Sequence, residues 1–174
     1  MMQPKRSFVI GGASSGKSSW AETHAKQLDA RPFYIATAQA FDAEMREKIY
    51  AHQKQRGAAW DTIEAPLQVA EALGTLPAGR AALLDCATLW LTNHLLAEHD
   101  LEAEEAALLA AISACKADLV IVSNEVGGGI VPENALSRRF RAAQGRLNQK
   151  LAAQASVVVT VIAGLPLALK GQLP

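Results

Sequence analysis

The stretch Gly11-Gly12-Ala13-Ser14-Ser15-Gly16-Lys17-Ser18 decides the reading of this chain. It fits the pattern glycine, four variable residues, glycine, lysine, serine of a phosphate-cradling loop, the P-loop. The flanks fit as well. Ser7-Phe8-Val9-Ile10 reads as a short apolar strand entering the loop. Ser18 to Leu28 carries Trp20, Ala21, His24, Ala25 and Leu28 on related turns and reads as a helix leaving it. Gly11, Gly12 and Gly16 let the backbone turn tightly and bring N–H groups close to phosphate oxygens. Lys17 supplies charge to the β- and γ-phosphates, and the Ser18 hydroxyl is a ligand for Mg2+. The helix N-terminus adds its own partial positive charge. The expected ligand is a nucleoside triphosphate.

Working outward, strands alternate with helices. Pro32–Thr37 reads as a second strand, followed by a helix from about Asp42 to Arg56. Trp60–Glu64 reads as a short strand and Leu67–Leu73 as a short helix. Ala81–Asp85 is the next strand, and a helical stretch from Thr88 to Cys115 is broken near Glu98-His99-Asp100. Leu119–Val122, a helix over Ser137–Gln154 and a last strand at Val157–Ile162 complete the order. Alternation of this kind predicts an α/β fold, with a mainly parallel sheet covered by helices on both faces. Ligands of such sheets lie at the carboxyl ends of the strands. That rule selects Thr37, Asp85 and Asn124-Glu125, polar groups standing where an apolar run stops. Asp85 follows four apolar residues, the position of an acid that holds Mg2+ directly or through water. The alternative role for each is to cap a helix or close a turn.

The helix expected over Asp42–Arg56 carries Met45 and Ile49 on its buried stripe, with His52 at the border. Lys48, His52 and Arg56 are spaced i, i+4, i+8 and stack on one side. Cations one turn away disfavour protonation of an imidazole, and the neutral ring is the nucleophilic form. The arrangement suits a histidine that takes up a nucleotidyl group. The spacing equally describes a solvated basic face with a passive histidine. His24 sits on the helix after the loop, and His94 and His99 lie in the acidic helical region. A separation of five suggests no metal site, so none is assigned to zinc. Further on, Gly127-Gly128-Gly129 lies between Glu125 and Ile130-Val131-Pro132. This is either a loop that approaches a ligand or a plain flexible turn. The next helix carries Arg138, Arg139 and Arg141, which either solvate its outer face or serve a phosphate or a neighbouring subunit.

The 174 residues favour a single domain spanning 1–174. Half of them are hydrophobic and 20% charged, which argues against disorder. Lys and Arg number 17, as do Asp and Glu, so no general basic surface is implied, a local basic strip aside, and nucleic acid is not the expected partner. Cys86 and Cys115 are too few for a disulfide framework or a cysteine-rich zinc site. The run Val157–Leu169 contains Thr160, Gly164 and Pro166 and is too short to span a bilayer. No stable membrane insertion is expected, and the cytoplasm is the expected home.

Taken together, GGASSGKS, YIATAQAFDAEM, KIYAHQKQRGAAW, LLDCATLWLTN and SNEVGGGIVPENALSRRFRAAQGRLNQKLA resemble one family nearly end to end. It is the bifunctional adenosylcobinamide kinase / adenosylcobinamide-phosphate guanylyltransferase family of cobalamin biosynthesis. YIATAQ, a downstream histidine and NEVGGGIVPEN together are far more specific than the P-loop. The resemblance implies a RecA-like P-loop NTPase fold and a homotrimer. It implies phosphorylation of adenosylcobinamide by ATP or GTP with Mg2+, then transfer of GMP from GTP to adenosylcobinamide phosphate through a covalent GMP–histidine. His52 holds the matching position, with Lys17 as the second catalytic residue. The implied nucleotide contacts are Gly11, Gly12, Ala13, Ser14, Ser15, Gly16, Lys17, Ser18, Ala36, Thr37, Ala38, Gln53, Lys54, Gln55, Arg56, Glu64 and Asp85, with Ser18 and Asp85 on the metal. The residue reading by itself selects the loop, Thr37, His52 and Asp85, but not Glu64. Ser14 stands where the family usually has Arg, and Asp85 where Glu also occurs. Two other functions use the same loop. A small-metabolite kinase needs Lys17 and Asp85 but not His52, and a nucleotide-dependent switch needs only binding and a moving loop.

Overall fold

The computed structural model describes residues 4–40, 46–47, 49–51, 54 and 57–174. The helix expected over Asp42–Arg56 therefore lies largely outside the described residues. So do His52, Gln53, Gln55 and Arg56, and also Met45 and Lys48.

The described elements are β1 (Arg6–Gly11), α1 (Lys17–Leu28), β2 (Phe33–Ala36), β3 (Asp61–Glu64), α2 (Val69–Gly74) and β4 (Ala81–Asp85). Next come α3 (Ala87–Leu96), α4 (Leu101–Ala114), β5 (Asp118–Asn124), α5 (Ala135–Gln154), β6 (Val157–Ile162) and β7 (Leu165–Lys170). The seven strands form one sheet in the order β3-β2-β4-β5-β1-β6-β7. Every neighbouring pair is parallel except β6 and β7. The α/β architecture with a mainly parallel sheet flanked by helices is thus as the sequence predicts.

Successive strand residues face opposite sides, so the central strands feed two cores. Phe8, Ile35, Leu84, Leu119, Ile121 and Val158 face one side, packed by Val69 of α2, Trp90 and Leu91 of α3, Leu108 and Ile112 of α4 and Leu147 and Leu151 of α5. Val9, Tyr34, Leu83, Val120, Val122 and Val159 face the other, where Ala21 and Ala25 of α1 pack. The break expected at Glu98–Asp100 has a clear cause. Glu98 takes a left-handed φ of 57°, and Asp100 caps α4 by accepting from the Glu102 and Ala103 amides.

The sequence reading stopped at β6, but the chain turns back into β7. Ala163 and Gly164, at φ 52° and 77°, form the two-residue connection, and Ile162 pairs with Leu165. Two positive φ values suit the twist of a tight hairpin. Pro166 obscures the strand in the sequence, yet proline is tolerated at a sheet edge, where no further strand needs its amide. The alternation of Leu165, Leu167 and Leu169 was the signal available. Those side chains are 72%, 59% and 60% exposed.

Candidate active site

The P-loop leaves β1 and enters α1 through backbone geometry that its glycines permit. Gly16 caps α1 at φ 91°, and its backbone faces the β6–β7 turn. A Cβ at Gly16 would stand 3.0 Å from the Gly164 Cα. A Cβ at Gly11 would stand 2.5 Å from the Ser15 Oγ and 2.7 Å from the Val161 carbonyl oxygen. Ser14 also takes a positive φ, 55°. The Gly164 amide donates to the Ser15 carbonyl at 2.8 Å, so the hairpin braces the loop. The Ser15 Oγ is buried with no hydrogen-bond partner. Lys17 is buried, and its Nζ donates to the Gly12 carbonyl at 3.0 Å, which holds the ammonium inside the curve of the loop.

The sheet register aligns the other predicted groups. Ala36 of β2 pairs with Glu64 on one side and Asp85 on the other. Asp85 pairs with Val122, and Val122 with Val9 just before the loop. Glu64, Ala36, Asp85 and the approach to the P-loop thus occupy one row at the carboxyl ends. At ~4.8 Å between strands, Asp85 stands roughly 10 Å from β1 and Glu64 roughly 19 Å. The row is therefore long, with the loop toward one end and Glu64 on the edge strand. Glu64 ends its strand just as Asp85 does. The strand-end rule that selected Asp85 was the signal that could have found it.

Asp85 is half-buried, and the Tyr34 hydroxyl donates to its Oδ2. Ser18 and Asp85 offer hard oxygen donors of the kind Mg2+ takes. The neighbouring Cys86 is buried, and its thiol is pushed up to about 11, first by burial and then by the Asp85 charge. It is a neutral packing group at ordinary pH.

Thr37 is completely buried and acts as a clip. Its Oγ1 donates to the Cys86 carbonyl and accepts from the Cys86 amide, both at 2.8 Å. It joins the ends of β2 and β4 and orients the peptide next to Asp85. Ala38 is half-buried beyond it. The Asn93 Nδ2 on α3 donates to the Thr37 carbonyl at 2.8 Å and to the Pro66 carbonyl at 2.9 Å. It holds together the segments that leave β2 and β3. Thr88, at the start of α3, accepts from the Asn124 amide at 2.8 Å. The first turns of α3 therefore lace together the carboxyl ends of four strands.

At the end of β5 the Glu125 amide donates to the Gly11 carbonyl at 3.0 Å, and the Glu125 carboxylate accepts from the Gly127 amide. Two arginines of α5, Arg138 and Arg141, latch this loop. Arg141 donates to the Ile130 carbonyl at 3.0 Å and to the Gly127 carbonyl. Arg138 donates to the Pro132 carbonyl at 2.9 Å and to the Glu133 carbonyl. Asn134 caps the same helix, accepting from the Ser137 amide at 2.6 Å. His24 is packed, with its Nε2 3.1 Å from the Ser7 Oγ and its ring stacked on Trp20. Burial lowers its pKa. Of the Gln53–Arg56 set only Lys54 is described, and it is exposed.

A family described as cobinamide kinase / cobinamide phosphate guanyltransferase matches residues 7–169. The chain is 44% identical over 170 residues to the bifunctional adenosylcobalamin biosynthesis protein CobP of Pseudomonas aeruginosa, covering 96% of this chain and 98% of that one. It is 40% identical over 182 residues to the protein of the same description, CobU, of Salmonella typhimurium, covering 94% and 98%. Among solved structures, a Pyrococcus horikoshii OT3 protein of 8% identity shares the fold at a TM-score of 0.53, over 99% of this chain and 89% of that one.

Proposed function

The chain belongs to the cobinamide kinase / cobinamide phosphate guanyltransferase family and catalyses both reactions in cobalamin biosynthesis, and we propose that a covalent GMP–His52 intermediate carries the second. In the first stage the terminal hydroxyl oxygen of adenosylcobinamide attacks the γ-phosphorus of ATP or GTP. The bond to the β-phosphate oxygen breaks, the nucleoside diphosphate leaves and the hydroxyl proton passes to solvent. Lys17 and the amides of Gly11–Ser18 offset the charge on the phosphates as this happens. Ser18 and Asp85 would hold Mg2+, which supplies charge neutralisation between the phosphates.

In the second stage a ring nitrogen of His52 attacks the α-phosphorus of GTP and pyrophosphate leaves. A phosphate oxygen of adenosylcobinamide phosphate then attacks the same phosphorus. The P–N bond breaks, and adenosylcobinamide-GDP forms with the histidine restored. The intermediate divides one hard transfer into two displacements. Gln53, Lys54, Gln55 and Arg56 follow the histidine and, with Ala36, Ala38 and Glu64, are assigned to the nucleotide, while the expected contact from Thr37 gives way to a supporting role, its polar groups all being held by Cys86, Asp85 and Asn93. What supports the nucleotide assignments is the carboxyl-end row, which sets Glu64, Ala36 and Asp85 in register with the strand that feeds the P-loop; the His52 step rests on the family resemblance.

The active form is proposed to be a homotrimer. The exposed apolar stripe of Leu165, Leu167 and Leu169 on the edge strand β7, with Ile162 of β6 paired beside Leu165, supports self-association. No helix among the described residues is long and apolar enough to cross a membrane. Product analysis tests the reaction sequence. Label from the γ-position of the triphosphate should enter adenosylcobinamide phosphate, and label from the α-position of GTP should enter adenosylcobinamide-GDP. If the first product forms and the second never does, the chain is a kinase alone.

A further inference from the structure

His94 and His99, five residues apart, are brought together where α3 ends and α4 begins. Their Nδ1 atoms lie 2.9 Å apart, and the Glu104 Oε2 is 3.8 Å from the His94 Nδ1. One ligand atom from each of the three residues falls within 4.8 Å of the others, the one such metal-competent group among the described residues. A separation of five in sequence does not by itself predict this approach. The left-handed Glu98 turns the chain so that His99 folds back over His94.

The inner histidine has the support expected of a ligand. His94 is 2% exposed, and its Nε2 is 3.2 Å from the Leu67 carbonyl oxygen. A carbonyl only accepts, so the Nε2 carries the proton and the Nδ1 presents a lone pair toward His99 and Glu104. Fixing one ring nitrogen on a carbonyl is how metal-binding histidines are commonly oriented. Burial also lowers the pKa of His94, which favours the neutral ring. The cluster opens onto a cavity of about 190 Å³ lined by Leu67, Gln68, Glu71, Trp90 and Leu108 among others. That leaves room for a water or a further ligand on the open side.

We infer that His94, His99 and Glu104 form a binding site for a divalent transition metal of the zinc class. Two imidazoles and a carboxylate with one open position are a suitable donor set. Tetrahedral zinc with bonds of 2.0–2.1 Å holds its donors about 3.3 Å apart. The two Nδ1 atoms must open by ~0.4 Å and the Glu104 Oε2 must close on the His94 Nδ1 by ~0.5 Å, within the 4.8 Å spread of the three ligand atoms. His99 is exposed and Glu104 half-buried, so both have freedom to adjust. On binding, the proton that His99 donates to His94 moves to the other nitrogen of the His99 ring, and no net charge is left uncompensated on either histidine. The metal would pin the end of α3 to the first turn of α4. Through His94 and the Leu67 carbonyl it would also brace the segment that follows Glu64.

The test is Zn2+ titration of the chelator-treated full chain by calorimetry, without nucleotide, alongside thermal melting and the visible spectrum of the Co2+-loaded protein. The wild type should bind one Zn2+ per chain at this site, melt at higher temperature with the metal and give a tetrahedral Co2+ spectrum. His99→Ala and Glu104→Gln, both outside the core, should each weaken binding about tenfold or more and lose the spectrum. His52→Ala should keep both. A wild type that binds no Zn2+ overturns the inference, as does undiminished affinity in His99→Ala; the pair would then be a structural hydrogen bond only.

Discussion

Lys17 is a buried cation whose ammonium donates to a backbone carbonyl, Gly12. Its position is fixed by the loop, so under the proposed function its charge needs little reorganisation as phosphate charge develops. Lys17→Ala should lower phosphorylation of adenosylcobinamide by about 10²–10³-fold, the usual effect of removing one such donor. Steady-state assays would check it, and an unchanged rate would remove the loop from the reaction. His24 has a different fate although it lies on the same helix. Its burial favours the neutral ring, so its folded pKa lies below the unfolded value of ~6.5. As pH falls through ~6.5 the unfolded chain takes up a proton that the folded chain refuses. The stability from this group is full above that pH and declines toward the lower folded value. Melting temperatures between pH 7 and pH 5 should therefore fall less steeply in His24→Gln. Burial lowers the pKa of His94 too and gives the same sign, so part of the slope should remain.

Among the elements, the segment from Asn124 to Asn134 gains order from α5 rather than from its own sequence. Arg138 and Arg141 hold its carbonyls, and Asn134 starts the helix. Asn134→Ala should cost about 1 kcal/mol in urea unfolding, the value of a lost N-cap. No loss would mean that the cap contributes nothing beyond the latches. Much of this level was legible in the sequence. The apolar runs at Leu119–Val122 and Val157–Val159 fit buried strands, and Gly11–Ser18 marked the entry to α1. The strand-end rule found Asp85 because four apolar residues precede it. It passed over Glu64 because Asp61–Glu64 alternates weakly and sits near the edge. β7 was hidden by Pro166, since the penalty for proline depends on whether a neighbouring strand exists. The latching of Arg138 and Arg141 was illegible because arginines on an exposed face look alike until the loop they reach is known. The His94–His99 approach was hidden for a related reason, since one left-handed residue changes the meaning of a spacing of five.

For the whole molecule, the exposed stripe on β7 and the length of the carboxyl-end row matter together. If the apolar edge joins copies into a trimer, Leu167→Glu should shift the sedimentation coefficient toward that of a monomer. An unchanged trimer would move the contact elsewhere. The row itself reaches roughly 19 Å from β1 to Glu64, long enough to serve phosphates at one end and further groups at the other. Two chemistries on one chain then differ in which phosphorus is attacked. The most direct test of this account is incubation with GTP labelled at the α-phosphorus, followed by denaturation and detection of label on protein. The wild type should carry a label that survives alkali and is released by acid, as a phosphoramidate is. His52→Ala should carry none while still binding GTP through the P-loop. Undiminished label on His52→Ala would contradict the account.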